Sequence, residues 1–170
     1  FNWHVAENAR RLLISHYVHV IMTRHNDQGV GPCVNKRAKI ESTEGVQAAV
    51  AIHADGGPSW GHGFHVIEDS RRPVGASRAT VHHSTDLGTI LHNTLVRESG
   101  LTKSNYFGRD GYVRSDIYAG LNLSTNPTSF LELGNMRNAG DAAEQHSPAG
   151  RKRIAQAIAD GLLIYLRHTE

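Results

Sequence analysis

The 170-residue chain reads as an α/β protein: a layered, mostly parallel twisted sheet flanked by helices. Two observations carry that reading. Short apolar runs of strand length, several of them β-branched, alternate along the chain with longer segments whose apolar residues recur at helical spacing. Glycine and proline then punctuate the switches between them, most sharply at Gly56-Gly57-Pro58. In such sheets ligands collect beyond the carboxyl ends of the strands, so chemistry is sought in the last residues of each strand.

Taken in order, Phe1 to His16 has the pattern of an amphipathic helix, with Val5, Ala9, Leu12 and Leu13 on one face. No Ser, Thr, Asp or Asn stands ahead of it as a cap, and neither an initiator methionine nor a signal peptide is present. Phe1 is therefore expected to be a cut end. Tyr17 to Met22, closing at Thr23-Arg24, predicts a strand, and Asn26 to Pro32 a loop. Val34 to Ser42 predicts a short helix, while Ala48 to His53 and Gly63 to Glu68 predict two further strands. Ser77 to Ser99 predicts a longer helix ended by Gly100, with Val81, Leu87, Leu91 and Leu95 at helical spacing. Leu101 to Asn126 is polar and glycine-rich and predicts a long functional loop. Ser129 to Leu133 predicts a fourth strand. Ser147 as cap and Pro148 at the first helical position open the last helix, whose stripe is Ile154, Ile158, Leu162 and Leu166.

Composition narrows the function classes. A hydrophobic fraction of 39% and a charged fraction of 20% fit a folded globular chain. No apolar run approaches the roughly 18 residues of a membrane span. A formal net charge of +2 leaves no footprint for nucleic acid. The single cysteine, Cys33, excludes an internal disulfide framework. Twelve histidines turn attention to metal chemistry, because imidazole is the commonest metal ligand.

Two strand ends carry unusual groups. Ala51-Ile52-His53-Ala54-Asp55-Gly56-Gly57 delivers a histidine and then an aspartate, which share a face if the strand continues that far. Phe130-Leu131-Glu132-Leu133-Gly134-Asn135 sets a carboxylate in an apolar strand, a costly placement unless a cation or hydrogen bonds compensate it. A hydrogen-bonded strand-end histidine and a buried ion pair are the structural alternatives for His53 and Glu132.

These segments, with Val20-Ile21-Met22-Thr23-Arg24, Arg37, Gly63-Phe64-His65-Val66 and the Gly150-Arg151 helix, occur in an order that resembles the zinc-dependent N-acetylmuramoyl-L-alanine amidases, the amidase type 3 family of bacterial cell-wall hydrolases. The Gly31-Pro32-Cys33 turn and the Asn105-Tyr106 to Asn122-Leu123 segment are similar to its small single-domain members, and the resemblance spans essentially the whole chain. It implies hydrolysis of the amide between N-acetylmuramic acid and L-alanine of the peptidoglycan stem, by a water activated on zinc held by two histidines and a glutamate. The later histidine ligand falls on His53 and the proton-transfer glutamate on Glu132.

The other two ligands, a histidine and a glutamate, are expected upstream of Phe1, so neither His4 nor Glu7 takes their place. Residues 1–170 are accordingly expected to form one amidase catalytic domain, N-terminally incomplete and lacking its first strand, with a possible disulfide from Cys33 to that leading segment. Export to the periplasm, cell wall or medium follows from the substrate, and a monomer is expected. The alternative is a catalytically inactive cell-wall-binding or regulatory module of the same fold. A zinc peptidase is disfavoured because no His-Glu-x-x-His helix is present.

Asp55, Asn122, Asn135 and Arg114 lie near the proposed site in sequence and are candidates for substrate contact, alongside Arg71, Arg72 and Arg109. Of the remaining histidines, His62 and His65 are expected to point to opposite faces, and His82 and His83, as helix neighbours, not to share a site. His16, His19, His25, His92, His146 and His168 read as surface or loop positions.

Overall fold

The computed structural model describes residues 1–169. In chain order its elements are α1 (Asn2–Ser15), α2 (Val34–Glu41), β1 (Ala49–Asp55), β2 (His65–Asp69), α3 (Arg78–Glu98), β3 (Tyr112–Ser115), α4 (Ala119–Leu123), β4 (Thr128–Asn135), α5 (Ala139–His146) and α6 (Pro148–His168). Local chemistry sets several helix starts. Ser77 accepts a hydrogen bond from the Thr80 amide to open α3, and Ser147 accepts one from Gly150 to open α6, with Pro148 next to it. Phe1 starts α1 with no side-chain cap, as its chemistry requires.

The four strands form one sheet in the order β1-β4-β2-β3. β1 runs parallel to β4 and β2 parallel to β3, while β4 and β2 are antiparallel. The mostly parallel α/β sheet read from the sequence is thus present, with one antiparallel join at its centre. Alternation along the strands sorts side chains into two faces. Val66, Leu131 and Leu133 are fully buried against Val5 of α1, Leu87, Leu91 and Leu95 of α3, and Ile154 and Ile158 of α6. Truncating a residue so enclosed costs about 2–5 kcal/mol. The opposite face carries a smaller cluster of Ile67, Val113 and Leu121, with Tyr118 and Phe130 beside it, under α4 and its neighbour α2. His53, Glu132 and His65 project from this second face.

Three readings are corrected here. Tyr17 to Arg24 is not a strand: Tyr17 adopts a φ of 64° and is almost wholly exposed, and the residues after it run as coil. A strand exists only where its backbone finds a partner, and the outer edge of β1 has none among the described residues. Instead, Ile21 to Arg24 form one wall of a groove of about 390 Å³, whose other wall is Val50 to His53. Leu101 to Asn126 is not one long loop, since it contains β3 and α4. Its glycines hid them: Gly108 and Gly111, both at positive φ, turn the chain into β3. The third correction is α5, which lay unread between β4 and α6 and is capped by Asn138.

Candidate active site

Glu132 lies opposite His53 on β1 and opposite His65 on β2, so one rung of the sheet reads His-Glu-His. Residues in register on adjacent strands project to the same face. The Glu132 carboxyl is half-buried, and its Oε2 has no hydrogen-bond partner. Burial, reinforced by the nearby charge of Asp55, pushes its pKa up to about 8. A carboxyl so placed exchanges a proton near neutrality, which is what general acid–base work needs.

His53 stacks almost flat on Phe130, two residues before Glu132 on the same face, with ring centroids 4.3 Å apart. Burial, and after it the Arg37 guanidinium, lower its pKa and keep the imidazole neutral, the state in which it ligates a metal. His65 is only 1% exposed, and its Nδ1 is unpartnered. Burial lowers its pKa, and the charge of Asp55, whose Oδ2 is 4.0 Å from His65 Nε2, opposes that shift. The sequence sets His65 on the face opposite His62 and gives it no part in the site; the apolar company of Phe64 and Val66 around its imidazole was the available signal.

β1 does continue through Asp55, with a register shift after His53, and the Asp55 carboxylate turns towards His65. Asp55 accepts the Tyr106 hydroxyl at 2.7 Å and its neighbour amide of Gly56 at 2.6 Å. The Tyr106 ring fits because Gly57 and Gly61 lack side chains; a Cβ at either would collide with it. The segment before β3 is thereby latched over the end of β1.

The other candidates fall elsewhere. Asn135 is fully buried, and its Nδ2 donates at 2.7 Å to the carbonyls of both Pro58 and Gly61, so it holds the β1–β2 loop. Asn122 donates to the Asp116 carbonyl at 2.6 Å. Arg114 pairs in register with Glu68, whose carboxylate abuts α3, and therefore lies on the face away from Glu132. Arg71 and Arg109 form ion pairs with Asp116 and Asp110. Cys33 is exposed at the position capping α2. His92, expected on the surface, is 7% exposed, stacked on Tyr112 and bonded to the Asp110 carbonyl.

His82 and His83 depart from expectation too. With Asp86 they form a group whose ligand atoms all lie within 4.8 Å of one another. Asp86 falls between the two histidines around the helix, which draws neighbours onto one side, and His82 Nδ1 is 2.8 Å from its Oδ2. This is the one such metal-competent group among the described residues, and it stands on α3, in the layer behind the sheet from Glu132. At the strand ends His53 is joined by no two further ligands. Residues 1–169 alone therefore do not make a three-ligand zinc site there.

Comparison with known proteins agrees with this architecture. Residues 1–163 match the family model of the N-acetylmuramoyl-L-alanine amidases. Over 167 residues the chain is 40% identical to the N-acetylmuramoyl-L-alanine amidase Rv3717 of Mycobacterium tuberculosis, a match covering 98% of this chain and 67% of that protein. Among solved structures, the N-acetylmuramyl-L-alanine amidase Ami1 of Mycobacterium smegmatis superimposes with a TM-score of 0.90 at 38% identity, covering 98% of this chain and 75% of that one. The apo form of Ami1 from Mycobacterium abscessus gives 0.87 at 40% identity, covering 96% and 76%. With the match running from the first helix through most of α6, this chain belongs to the N-acetylmuramoyl-L-alanine amidase family.

Proposed function

We propose that the protein hydrolyses peptidoglycan at the amide joining the lactyl group of N-acetylmuramic acid to L-alanine, with Glu132 as the proton-transfer residue. The observation that carries this reading is the placement of Glu132: half-buried, with a free Oε2 and a pKa near 8, on one rung with two histidines. As carboxylate, Glu132 takes a proton from the attacking water while its oxygen bonds to the carbonyl carbon. As carboxylic acid, it returns that proton to the departing nitrogen as the carbon–nitrogen bond breaks. The products are a lactyl carboxylate and a peptide with a free amino terminus.

Zinc, when bound, would polarise the carbonyl and acidify the water. In this reading His53 is one ligand, and a histidine and a glutamate from outside residues 1–170 complete the set. The open edge of β1 and the groove beside it, against His53, offer a seat for a further strand. Residues 1–170 act as one catalytic domain. The substrate places its work outside the cytoplasmic membrane, and no described helix is long and apolar enough to cross one.

The test is release of the alanyl amine from a muramyl dipeptide by the full-length protein supplied with zinc. Turnover that Glu132→Ala abolishes supports the assignment. The alternative is a wall-binding module without turnover. Binding to cell walls with no amine released by the zinc-supplied protein would establish it instead.

A further inference from the structure

In the loop that leaves the carboxyl end of β1, one large side chain is presented and not buried. Trp60 is 67% exposed, yet its loop is firmly held. The Gly61 amide donates to the Pro58 carbonyl at 2.9 Å, closing a tight turn with Trp60 near its tip. Asn135 ties down the carbonyls of Pro58 and Gly61, and Asn138 donates to the Ser59 carbonyl at 3.1 Å. From the other side, the His62 amide donates to Asn105 at 2.8 Å, and the Tyr106 ring packs against Gly57 and Gly61. Every tether grips backbone, and the indole is left facing water.

Isolated exposed apolar side chains are ordinary; here the tethered loop beside the site gives the indole a set position from which to make contact. Met136, between the two tethering asparagines in sequence, is 56% exposed as well. The loop adjoins the site: it leaves β1 at Asp55, whose carboxylate lies 4.0 Å from His65 Nε2 and accepts the Tyr106 hydroxyl, and the Tyr106 ring packs against Gly57 and Gly61.

We infer that Trp60 is the platform of a sugar subsite, stacking against a pyranose ring of the glycan strand next to the scissile amide. This rests on the amidase reading above. A pyranose presents one face of C–H bonds, apolar and faintly positive, which matches the electron-rich face of an indole, while its hydroxyls remain hydrated at the edge. The stem peptide offers no comparable flat apolar face. Because the loop is ordered before binding, little conformational entropy is lost when the ring docks. Contact remote from the breaking bond acts on both ground and transition states, so it lowers KM and leaves kcat nearly unchanged.

The experiment measures binding of a peptide-free disaccharide of N-acetylglucosamine and N-acetylmuramic acid to the full-length protein, its Trp60→Ala and Trp60→Phe variants, and Glu132→Gln. Calorimetry should show about tenfold weaker binding for Trp60→Ala, and near wild-type binding for Trp60→Phe, which keeps an aromatic face. On a disaccharide–peptide substrate, Trp60→Ala should raise KM by about tenfold with kcat within twofold. Equal affinity of wild type and Trp60→Ala, or no disaccharide binding by the wild type, overturns the subsite. Glu132→Gln separates the two readings, since it should bind the disaccharide normally and turn substrate over at least about a hundredfold more slowly. Trp60-dependent binding by a wild type without turnover would defeat the amidase reading and keep the subsite.

Discussion

Glu132 and His65 face each other across the antiparallel pair of β4 and β2, and each keeps a buried polar atom without a hydrogen-bond partner among the described residues. Unsatisfied polar groups cost stability, so their persistence where β4 and the start of β2 meet fits a site kept ready for substrate.

The pH dependence of stability follows from Glu132. Its folded pKa, about 8, lies above the ordinary carboxyl value, so its contribution is greatest where the group is protonated in both states. That contribution is lost as pH rises from about 4.5 towards 8. In metal-free protein, Glu132→Gln should therefore raise stability at pH 8.5 by about 1–3 kcal/mol, the shift being discounted for partial solvent access, and change it little at pH 4.5. Urea unfolding at the two pH values reads the difference. An equal effect at both would remove the raised pKa.

The latch of Tyr106 over Gly57 and Gly61 leaves no room for a methyl group. Gly61→Ala should displace the ring, cost about 1–3 kcal/mol as an overpacked site, and free the Asp55 carboxylate from its hydroxyl partner. Thermal unfolding and the solvent accessibility of Tyr106 are the measurements. Unchanged values for both would show that the latch is not needed.

Asn135 makes the complementary prediction. Replacing it with Ala leaves the Gly61 carbonyl without its side-chain donor and the Pro58 carbonyl with the Gly61 amide alone, and should cost about 1–3 kcal/mol, with faster amide exchange in the loop before β2. Exchange measured by mass spectrometry would show a local or a global effect, and the local one is expected.

Arg114 tests the assignment of faces. Because it projects with Glu68 toward α3, Arg114→Ala should leave turnover within about twofold and stability within about 1 kcal/mol. A large loss of turnover with KM unchanged would place Arg114 in the chemistry and contradict the sheet geometry.

Much of this was legible in the chain itself, and the reasons are local. Ser147-Pro148 announces α6, Ser77 announces α3, and the apolar runs around His53 and Glu132 mark β1 and β4. What failed depended on partners far away in sequence. Tyr17 to Arg24 has strand composition but nothing beside it to pair with, and His92 is covered by Tyr112 from β3, which glycine-rich flanks concealed. His65 was given no part in the site for a related reason. Its significance comes from register with Glu132, some 67 positions on, and register is a property of the assembled sheet. The residues that carry the most chemistry were readable singly; their arrangement on one rung was not.

The central claim is that Glu132 moves the proton in amide hydrolysis. The most direct measurement is turnover of a muramyl-peptide amide by full-length Glu132→Gln, with zinc supplied and cell-wall binding measured in parallel. The account predicts a fall in kcat of about 10²–10⁴-fold with binding intact. Turnover within a few fold of wild type would contradict it.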